Sequence, residues 1–388
     1  MNPQIPTGPG CRGPLAGVRV LELGGIGPGP FAGMLLGDLG ANVVRVDHPA
    51  EAGSSSPHPV LHRNRRSITI DLKHPRSAET VLALAADADA VIEGFRPGVA
   101  ERLGLGPEAL LARNPRLAYG RMTGWGQDGP LAQEPGHDIN FIALTGVLHA
   151  IGRDDEPIVP LNLIGDMGGG GLLLAFGLLG AIISARGSGR GQVVDAAMSD
   201  GSATLLAMVH GFLNSGRWRD EREQNGIDGG SPVYGVYRCS DGRHVALGIG
   251  DDRSYAALVD TLGLSCAPEF ARRDDRTAWP AMRKALAAAF AGRTRDEWER
   301  GFAGRGACVS PVLSLTEAPA HPHNAIRGTF LTDADGGITP APAPRFSATP
   351  AAEPAPAPAV GADTDAVLAE AGFGPEAIAR LRREGVVR

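Results

Sequence analysis

The 388-residue chain is predicted to be an α/β protein whose mostly parallel sheet is covered by helices on both faces. Strand-like apolar runs alternate with helix-like runs through the first half of the sequence, and such alternation builds parallel strands. The 55 glycines and 31 prolines supply the turns between these runs. Because the length exceeds that of one small domain, two domains are expected.

The apolar runs of the first half are expected to form one large domain, residues 1–196. Its first strand, VRVLEL at residues 18–23, is followed by a Gly/Pro turn and a helix at residues 31–39. Further strands are predicted at residues 43–47, 67–70, 90–93, 117–122 and 192–195, and a further helix at residues 77–86.

The character of the sequence changes after residue 226. A helical linker, residues 197–226, leads to a smaller α+β domain, residues 227–318, that opens on a predicted β-hairpin. Its hairpin strands are expected at residues 234–239 and 244–247, and its helices at residues 254–262, 278–290 and 295–302. A linker, residues 319–339, precedes a C-terminal segment, residues 340–388, whose Pro/Ala-rich start is extended and whose end returns to the large domain.

Composition excludes several classes of protein. The net charge of -6 and the pI near 5.9 give no reason to expect a nucleic-acid partner. The four cysteines show no C-x-x-C spacing and residues 1–17 contain no apolar signal region, so reduced thiols and a cytoplasmic location are expected. Residues 168–185 carry no charge, but the apolar part is shorter than a bilayer requires. We therefore expect a buried core helix there and no membrane.

The first strand-to-helix turn has the spacing of a dinucleotide-binding loop. Gly27, Gly29 and Ala32 fit G-x-G-x-x-A, and Asp47 stands where a ribose-binding acid would. Pro28 and Pro30, however, remove backbone N–H donors that a pyrophosphate needs. The turn is therefore expected to serve strand–helix packing, or to bring the backbone near another ligand.

A basic cluster, residues 62–66 with Lys73 downstream, contrasts with the acidic chain. Two interpretations stay open, a solvated surface or a phosphate site built from guanidinium groups. Arg96 and Arg102 follow another predicted strand and would add to the same face.

Two residues beside glycines are suited to moving a proton. His137 follows a Glu-Pro-Gly turn, and its imidazole can exchange a proton near neutral pH. Asp166 precedes four glycines, Gly168 to Gly171, where it would cap a helix, lie beside a substrate, or do both. Asp251 and Asp252 follow a strand of the small domain, where acids commonly cap the next helix.

Taken together, these residues resemble the class III CoA-transferase family, and within it the α-methylacyl-CoA racemase branch. The matching segments span nearly the whole chain and include GVRVLEL at residues 17–23, LGDLGA at 36–41, RPGV at 96–99, MTGWGQ at 122–127, GRGQVVDA at 189–196 and PRFS at 344–347. Transferases of the family carry Tyr and Gln where this chain has His137 and Ile142, and use the aspartate matching Asp166 as a nucleophile. GHDIN at residues 136–140 and LNL at 161–163 resemble the racemases.

The resemblance implies His137 paired with Asp166 as one acid/base. A second acid/base on the opposite face is implied at Asp251, where the racemases have glutamate, with Asp252 as an alternative. The enolate oxygen of the substrate is expected against backbone N–H groups at the start of the Asp166 helix. The CoA thioester is the substrate, and no separate cofactor and no metal are expected.

The resemblance also implies a Rossmann-like large domain built from both chain ends, and a homodimer of two interlocked chains. The active site would lie between the large domain of one chain and the small domain of the other. The CoA-binding residues it implies, together with the basic side chains noted above, are His48 (where an arginine is usual), Arg65, Arg66, Ile70, Asp71, Leu72, Lys73, Arg96, Arg102, Gly136, Asp138, Ile139, Asn140 and Phe141.

The expected function is a racemase or epimerase of 2-methyl-branched acyl-CoA thioesters, acting through an enolate. One alternative is an acyl-CoA:carboxylate CoA-transferase that uses Asp166 as its nucleophile. A second is a non-catalytic protein that binds acyl-CoA or a dinucleotide.

Overall fold

The computed structural model describes residues 12–333 and 335–388. They form two compact units. The first comprises residues up to Val147, Pro160–Leu206 and Leu331–Arg388, and the second Leu148–Val159 and Ala207–Phe330. Cys11 and the predicted domain start at residue 1 lie outside the described residues.

The first unit is built on six parallel strands in the order β3-β2-β1-β4-β5-β6, as in doubly wound dinucleotide-binding folds. The strands are β1 (Arg19–Glu22), β2 (Asn42–Asp47), β3 (Arg65–Thr69), β4 (Ala90–Glu93), β5 (Ala118–Thr123) and β6 (Gln192–Ala197). The helices are α1 (Pro28–Asp38), α2 (Ser77–Ala85), α3 (Val99–Arg102), α4 (Pro107–Arg113), α5 (Asp138–Leu144), α7 (Leu173–Ser188) and α8 (Met198–Leu205), with a 3-10 turn at Pro49–Glu51. Helix α6 (Val147–Ala150) belongs to the second unit from Leu148 onward.

Alternating side chains of these strands enter two separate apolar cores. Leu21, Val91 and Tyr119 belong to one core, while their neighbours Val20 and Ile92 belong to the other. A period of two places successive side chains on opposite faces of a sheet. The cores therefore lie on its two faces, and the predicted α/β fold with a parallel sheet is confirmed.

A π-helix, Leu163–Leu172, runs directly into α7. Leu174, Leu178 and Ile182 of α7 pack into the second core, while Phe176 and Ile183 are 75% and 72% exposed. The predicted core helix is thus buried on one face only. Among the described residues, the segment Leu163–Ser188 has the length and hydropathy of a membrane span, weak evidence by itself, and 44% of its most apolar window is buried.

The second unit contains a three-stranded antiparallel sheet surrounded by helices. Its elements are α9 (Ala207–Asn214), β7 (Tyr234–Arg238), β8 (His244–Gly248), α10 (Asp252–Leu262), α11 (Trp279–Phe290), α12 (Arg295–Phe302), β9 (Val309–Pro311) and α13 (Pro322–Arg327), with 3-10 turns at Pro268–Arg272, Arg276–Ala278 and Ala318–Ala320. Tyr237 stacks on Phe290 in its core, with ring centroids 5.4 Å apart.

The chain then passes through β10 (Phe330–Thr332), β11 (Ile338–Pro340), α14 (Thr364–Glu370) and α15 (Pro375–Arg383). This C-terminal segment binds along β3. The Asp363 carboxylate accepts the Ser67 N–H at 2.9 Å, and the Thr69 hydroxyl donates to the Arg388 carbonyl at 2.8 Å. Both chain ends thus build the first unit.

The observed boundaries differ from the predicted ones at Leu148–Val159, a segment that belongs to the second unit. The reason is a set of hydrogen bonds from Arg222, whose guanidinium donates to the carbonyls of Arg153, His149 and Asp154. These bonds join the segment to residues 219–223 of the same unit.

Candidate active site

A cleft of about 790 Å³ opens at the carboxyl ends of the strands in the first unit. Ligands of open α/β sheets bind at this edge. The cleft is lined by the loops that follow β1, β2, β4 and β5, and it collects six of the predicted site residues: His48, Arg96, Gly136, His137, Phe141 and Asp166.

Asp166 is half-buried in the wall of this cleft, in the first turn of the π-helix. The helix begins at Leu163, so the residue is not the helix cap that the sequence allowed. Burial raises the pKa of Asp166, a hydrogen bond from Asn162 Nδ2 at 3.1 Å opposes this, the charge of Asp138 raises the pKa further, and the charge of His137 lowers it. The carboxylate is therefore a stronger base than an ordinary aspartate.

His137 is the N-cap residue of α5, and its side chain is exposed to the cleft. Its backbone N–H donates to Asn140 Oδ1 at 3.0 Å, which fixes the first turn of the helix. The imidazole acts electrostatically on the Asp166 carboxylate. The structure thus brings together the two residues that the sequence predicted as a pair.

Asp138 is only 6% exposed and lies outside the lining of the cleft. Its Oδ2 accepts the backbone N–H of Asp166 at 2.7 Å. The predicted CoA contact through this side chain is therefore wrong, because the carboxylate is turned into the protein. The enolate oxygen was expected to accept backbone N–H groups at the start of the Asp166 helix. This expectation is wrong for the Asp166 N–H, because that group already donates to Asp138.

The glycines that follow Asp166 serve close packing. A Cβ atom on Gly169 would lie 2.7 Å from the Ser202 nitrogen, and one on Gly171 would lie 2.5 Å from the Pro28 carbonyl oxygen. Only residues without a side chain allow α1 and α8 to pack this closely on the π-helix. Gly169 to Gly171 are therefore in contact with neighbouring helices of the protein.

The basic cluster forms buried ion pairs, so neither of its two interpretations is correct for Arg63 and Arg65. Arg63 binds the Asp38 carboxylate through Nε and Nη2, at 2.9 and 2.5 Å. Arg65, 7% exposed, pairs with Glu22 at 3.0 Å and also donates to the carbonyls of Leu61 and Pro30. Its nitrogens are thus occupied by protein acceptors, and we withdraw it from the CoA-binding residues.

Arg66 is also bound to the protein, through the two terminal nitrogens of its guanidinium group. They donate to the Glu370 carboxylate of α14 at 2.7 and 2.9 Å. The residue therefore holds the C-terminal segment against β3 in this structure, and a CoA contact would require this ion pair to open.

An ion network supports the loop that carries Arg96. Arg121 of β5 binds Glu93 Oε1 and Glu101 Oε1, both at 2.9 Å, and the other Glu93 oxygen accepts the Phe95 N–H at 2.8 Å. The network joins the end of β4 to α3 and so fixes the loop between them. Arg96 and Arg102 are exposed, and within the described residues their guanidinium groups form no hydrogen bond or ion pair.

The remaining predicted CoA contacts lie outside the lining of the cleft. Ile70 is buried in the first core, and Asp71 donates its N–H to the Val386 carbonyl at 2.9 Å. Leu72 is partly buried, whereas Lys73, Ile139 and Asn140 are exposed. A CoA contact of Ile70 through its side chain is excluded by this burial, and the others remain predictions.

The interpretation of the first turn as a dinucleotide-binding loop is not supported at Asp47, the residue in the position of the ribose-binding acid. Both carboxylate oxygens of Asp47 are engaged, one with Arg45 Nε at 2.7 Å and the other with the Ser67 hydroxyl at 2.7 Å. Both oxygens are thus already hydrogen-bonded within the protein, which disfavours the role of a ribose ligand. Among residues 12–333 and 335–388, no three His, Cys, Asp or Glu side chains are grouped to hold a metal ion.

Asp251 lies in the second unit and caps α10. Its Oδ1 accepts the Ser254 N–H at 2.9 Å, and its Oδ2 accepts the Ser254 hydroxyl at 2.7 Å. These bonds lower the pKa of Asp251. Its neighbour Asp252 is exposed and pairs with Arg273 at 2.9 Å.

Trp125, to which the sequence assigned no role, and His62, from the basic cluster, also line the cleft. Trp125 packs edge-on against Phe141 at 4.7 Å, and this ring contact supports the turn before α5. Burial, with Arg45 and Arg65 nearby, lowers the pKa of His62 to about 4, so its imidazole is neutral at pH 7. The sequence could have indicated Trp125, because MTGWGQ lies at the end of a predicted strand, where ligands of open α/β sheets bind.

The chain is similar to known proteins over nearly its whole length. Residues 15–364 match CoA-transferase family III. The chain is 44% identical to alpha-methylacyl-CoA racemase of Mus musculus and 42% identical to that of Homo sapiens, in each case over 96% of this chain and 97% of the relative. Among solved structures, a CAIB/BAIF family protein from Brucella suis superposes with a TM-score of 0.78 at 28% identity, covering 93% of this chain and 100% of that one. The chain therefore belongs to CoA-transferase family III.

Proposed function

We propose that the protein is a racemase of 2-methyl-branched acyl-CoA thioesters. The observation that carries this proposal is that His137 and Asp166 line the same cleft. The two relatives that are 44% and 42% identical over 96% of the chain, both named alpha-methylacyl-CoA racemase, support the same reaction.

In this reaction the neutral His137 imidazole takes the α-proton of the thioester. The C–H bond breaks, its electron pair moves onto the thioester oxygen as an enolate, and the proton is held on the imidazole. The Asp166 carboxylate stabilises the imidazolium that forms, as a carboxylate does beside a general base. The enolate then takes a proton on its opposite face, which inverts the carbon and requires no cofactor.

The CoA part of the substrate carries phosphates, and cations suit them. Arg96 is exposed in the cleft lining, and the Glu93–Arg121–Glu101 network holds its loop. His48 lines the same cleft, and its Nδ1 accepts the Ala50 N–H at 3.1 Å, which leaves Nε2 to donate. We propose these two residues as CoA contacts, with Lys73 and Arg102 as outer cations.

The second face of the carbon is assigned to Asp251, and we propose that it is supplied by a second copy of the chain in an interlocked homodimer. Each unit exposes apolar surface that a second copy would cover. Helix α9, with the sequence AMVHGFLN, has no buried residue, and α7 exposes Phe176 and Ile183. Patches of this kind mark interfaces between proteins. Light scattering should give the mass of two chains, and a monomer at micromolar concentration would overturn this part.

The decisive experiment is incubation of one epimer of a 2-methylacyl-CoA in deuterated water with no acceptor acid. We expect deuterium at the α-carbon by mass spectrometry and the opposite epimer by chiral chromatography. Asp166→Asn should remove both signals. Asp195→Asn is the matched control, because burial also raises the pKa of Asp195 but that residue does not line the cleft.

A CoA-transferase would behave differently in the same assay. It would require an acceptor acid, and hydroxylamine would trap an acyl group on Asp166. Trapping, together with an absence of deuterium exchange, would replace the racemase proposal with the transferase. Binding of acyl-CoA with neither signal would leave a non-catalytic binding protein.

A further inference from the structure

Asp138 stands directly after His137 in the sequence, yet its side chain takes the opposite direction. It is the first residue of α5, and its carboxylate is buried beneath the cleft whereas the His137 side chain is exposed to it. A buried carboxylate needs compensating partners. The partners of Asp138 therefore indicate what it does.

One carboxylate oxygen of Asp138 holds the main chain of Asp166. Oδ2 accepts the Asp166 N–H at 2.7 Å. The approach depends on Gly165, because a Cβ atom there would lie 2.6 Å from the same oxygen. The contact joins the start of α5, which carries His137, to the π-helix, which carries Asp166.

The other oxygen, Oδ1, is buried and has no hydrogen-bond partner within the described part of the chain. Buried polar atoms are nearly always satisfied, and the exceptions concentrate at functional sites. An uncompensated carboxylate oxygen also keeps its negative charge effective in its surroundings. That charge acts on the neighbouring Asp166 carboxylate.

We propose that Asp138 is a positioning residue, which fixes the Asp166 main chain beside His137 from beneath the cleft. Its side chain is buried and lies outside the lining of the cleft. This inference rests on the proposed racemase function, because it assigns the support of the same pair.

Two charged groups act on the Asp166 carboxylate, Asp138 and His137, and both stand at the start of α5. The π-helix itself contributes an uncharged hydrogen bond from Asn162, and α1 presents the backbone of Gly27, where a Cβ atom would lie 3.3 Å from Asp166 Oδ2. Removing the Asp138 charge should therefore lower the pKa of Asp166. Since Asp166 acts as a carboxylate, the loss of activity toward low pH should move to lower pH.

The test is Asp138→Asn, with Asp195→Asn as the matched control. The asparagine oxygen can still accept the Asp166 N–H, so the variant should fold. We expect its kcat for exchange to fall, the acidic limb of its kcat profile to move to lower pH, and its KM for acyl-CoA to stay unchanged. Asp138→Ala also loses the anchor, and since a displacement of about 1 Å can cost on the order of 100-fold in rate, its kcat should fall by roughly that factor.

Three results would overturn the inference. They are an unmoved acidic limb in Asp138→Asn, a raised KM with unchanged kcat, which would make Asp138 a substrate contact, and an Asp195→Asn variant that shifts the limb equally. The state of Asp166 can also be read without turnover, from the pH titration of its ¹³C-labelled carboxyl group by NMR. An inactive wild-type protein would refute the proposed function, whereas the NMR titration would still decide the role of Asp138.

Discussion

Asp166 and Asp251 are proposed to act near opposite faces of one carbon, yet the protein gives them opposite surroundings. Asp166 is half-buried in a helix, and burial raises its pKa. Asp251 is exposed at a helix start, where two hydrogen bonds from Ser254 lower its pKa. The same side chain is thus a stronger base in one unit and a weaker base in the other.

The largest expected effect follows from removing the stronger base. Asp166→Asn leaves the His137 imidazolium without a carboxylate, and we expect the deuterium exchange rate to fall by roughly 100- to 10,000-fold, the usual contribution of acid–base groups. If the variant exchanged deuterium at the wild-type rate, Asp166 would have no role in the reaction and its comparison with Asp251 would no longer apply.

Asp251→Asn should separate inversion from exchange. Without a proton donor on the second face, the enolate can only be reprotonated by His137, so the epimer whose α-proton faces His137 should gain deuterium without inverting. We expect inversion to fall at least about 100-fold. Asp252→Asn, which removes the neighbouring ion-paired acid, serves as the control. Loss of inversion in that variant instead would reassign the second acid/base to Asp252.

Asp251→Glu tests the reach of the second acid. Glutamate is one methylene longer, and a shift of about 1 Å can change a rate on the order of 100-fold. We therefore expect inversion to become faster, by at most that factor, in the same chromatographic assay. A slower variant would mean that the site of this chain is fitted to aspartate.

The raised pKa of Asp166 also predicts how this residue affects the stability of the protein at different pH. A raised folded-state pKa means that the stabilisation of Asp166 is full at low pH and is lost as the pH rises through that pKa. Asp166→Asn should therefore raise the melting temperature at pH 7, and the difference from wild type should vanish toward low pH. A melting temperature at pH 7 below that of wild type would contradict the raised pKa.

The smallest effect is expected from Ser254→Ala, which removes one hydrogen bond to Asp251 and keeps the other, from the backbone. The pKa of Asp251 should rise. Because inversion in one direction needs the ionised carboxylate, the acidic limb of that direction should move to higher pH. Ser254→Thr keeps a hydroxyl and should leave the limb in place.

The sequence predicted the sheet well because strand patterns are local. The six predicted strands of the large domain agree with β1 to β6 to within two residues at each end. The predicted helices were less accurate where packing against other elements determines the helix boundaries. The predicted helical linker, residues 197–226, contains two separate helices, with α8 ending at Leu205 and α9 beginning at Ala207. The π-helix was not predicted either. Its glycines are typical of a loop, and it is the packing of α1 and α8 against them that favours the helix.

The candidate site was predictable where a residue type carries its chemistry with it, as for His137 and Asp166. It was not predictable where a distant partner decides the role. Arg65 resembled a phosphate ligand because its partner, Glu22, stands 43 residues away in the sequence. Asp138 was assigned to the cleft because the direction of its side chain depends on a contact with Asp166, 28 residues further on.

Glu22 has a consequence for any redesign of the cleft. It is fully buried between Arg45 and Arg65, and these arginines also bind the carbonyls of Gly25 and Pro30, on the loop and helix start that border the cleft. Removing one member of a buried ion pair costs about 3–5 kcal/mol, because a charge remains in the interior without a partner. The three residues can therefore drift in evolution, or be exchanged in the laboratory, only as a set.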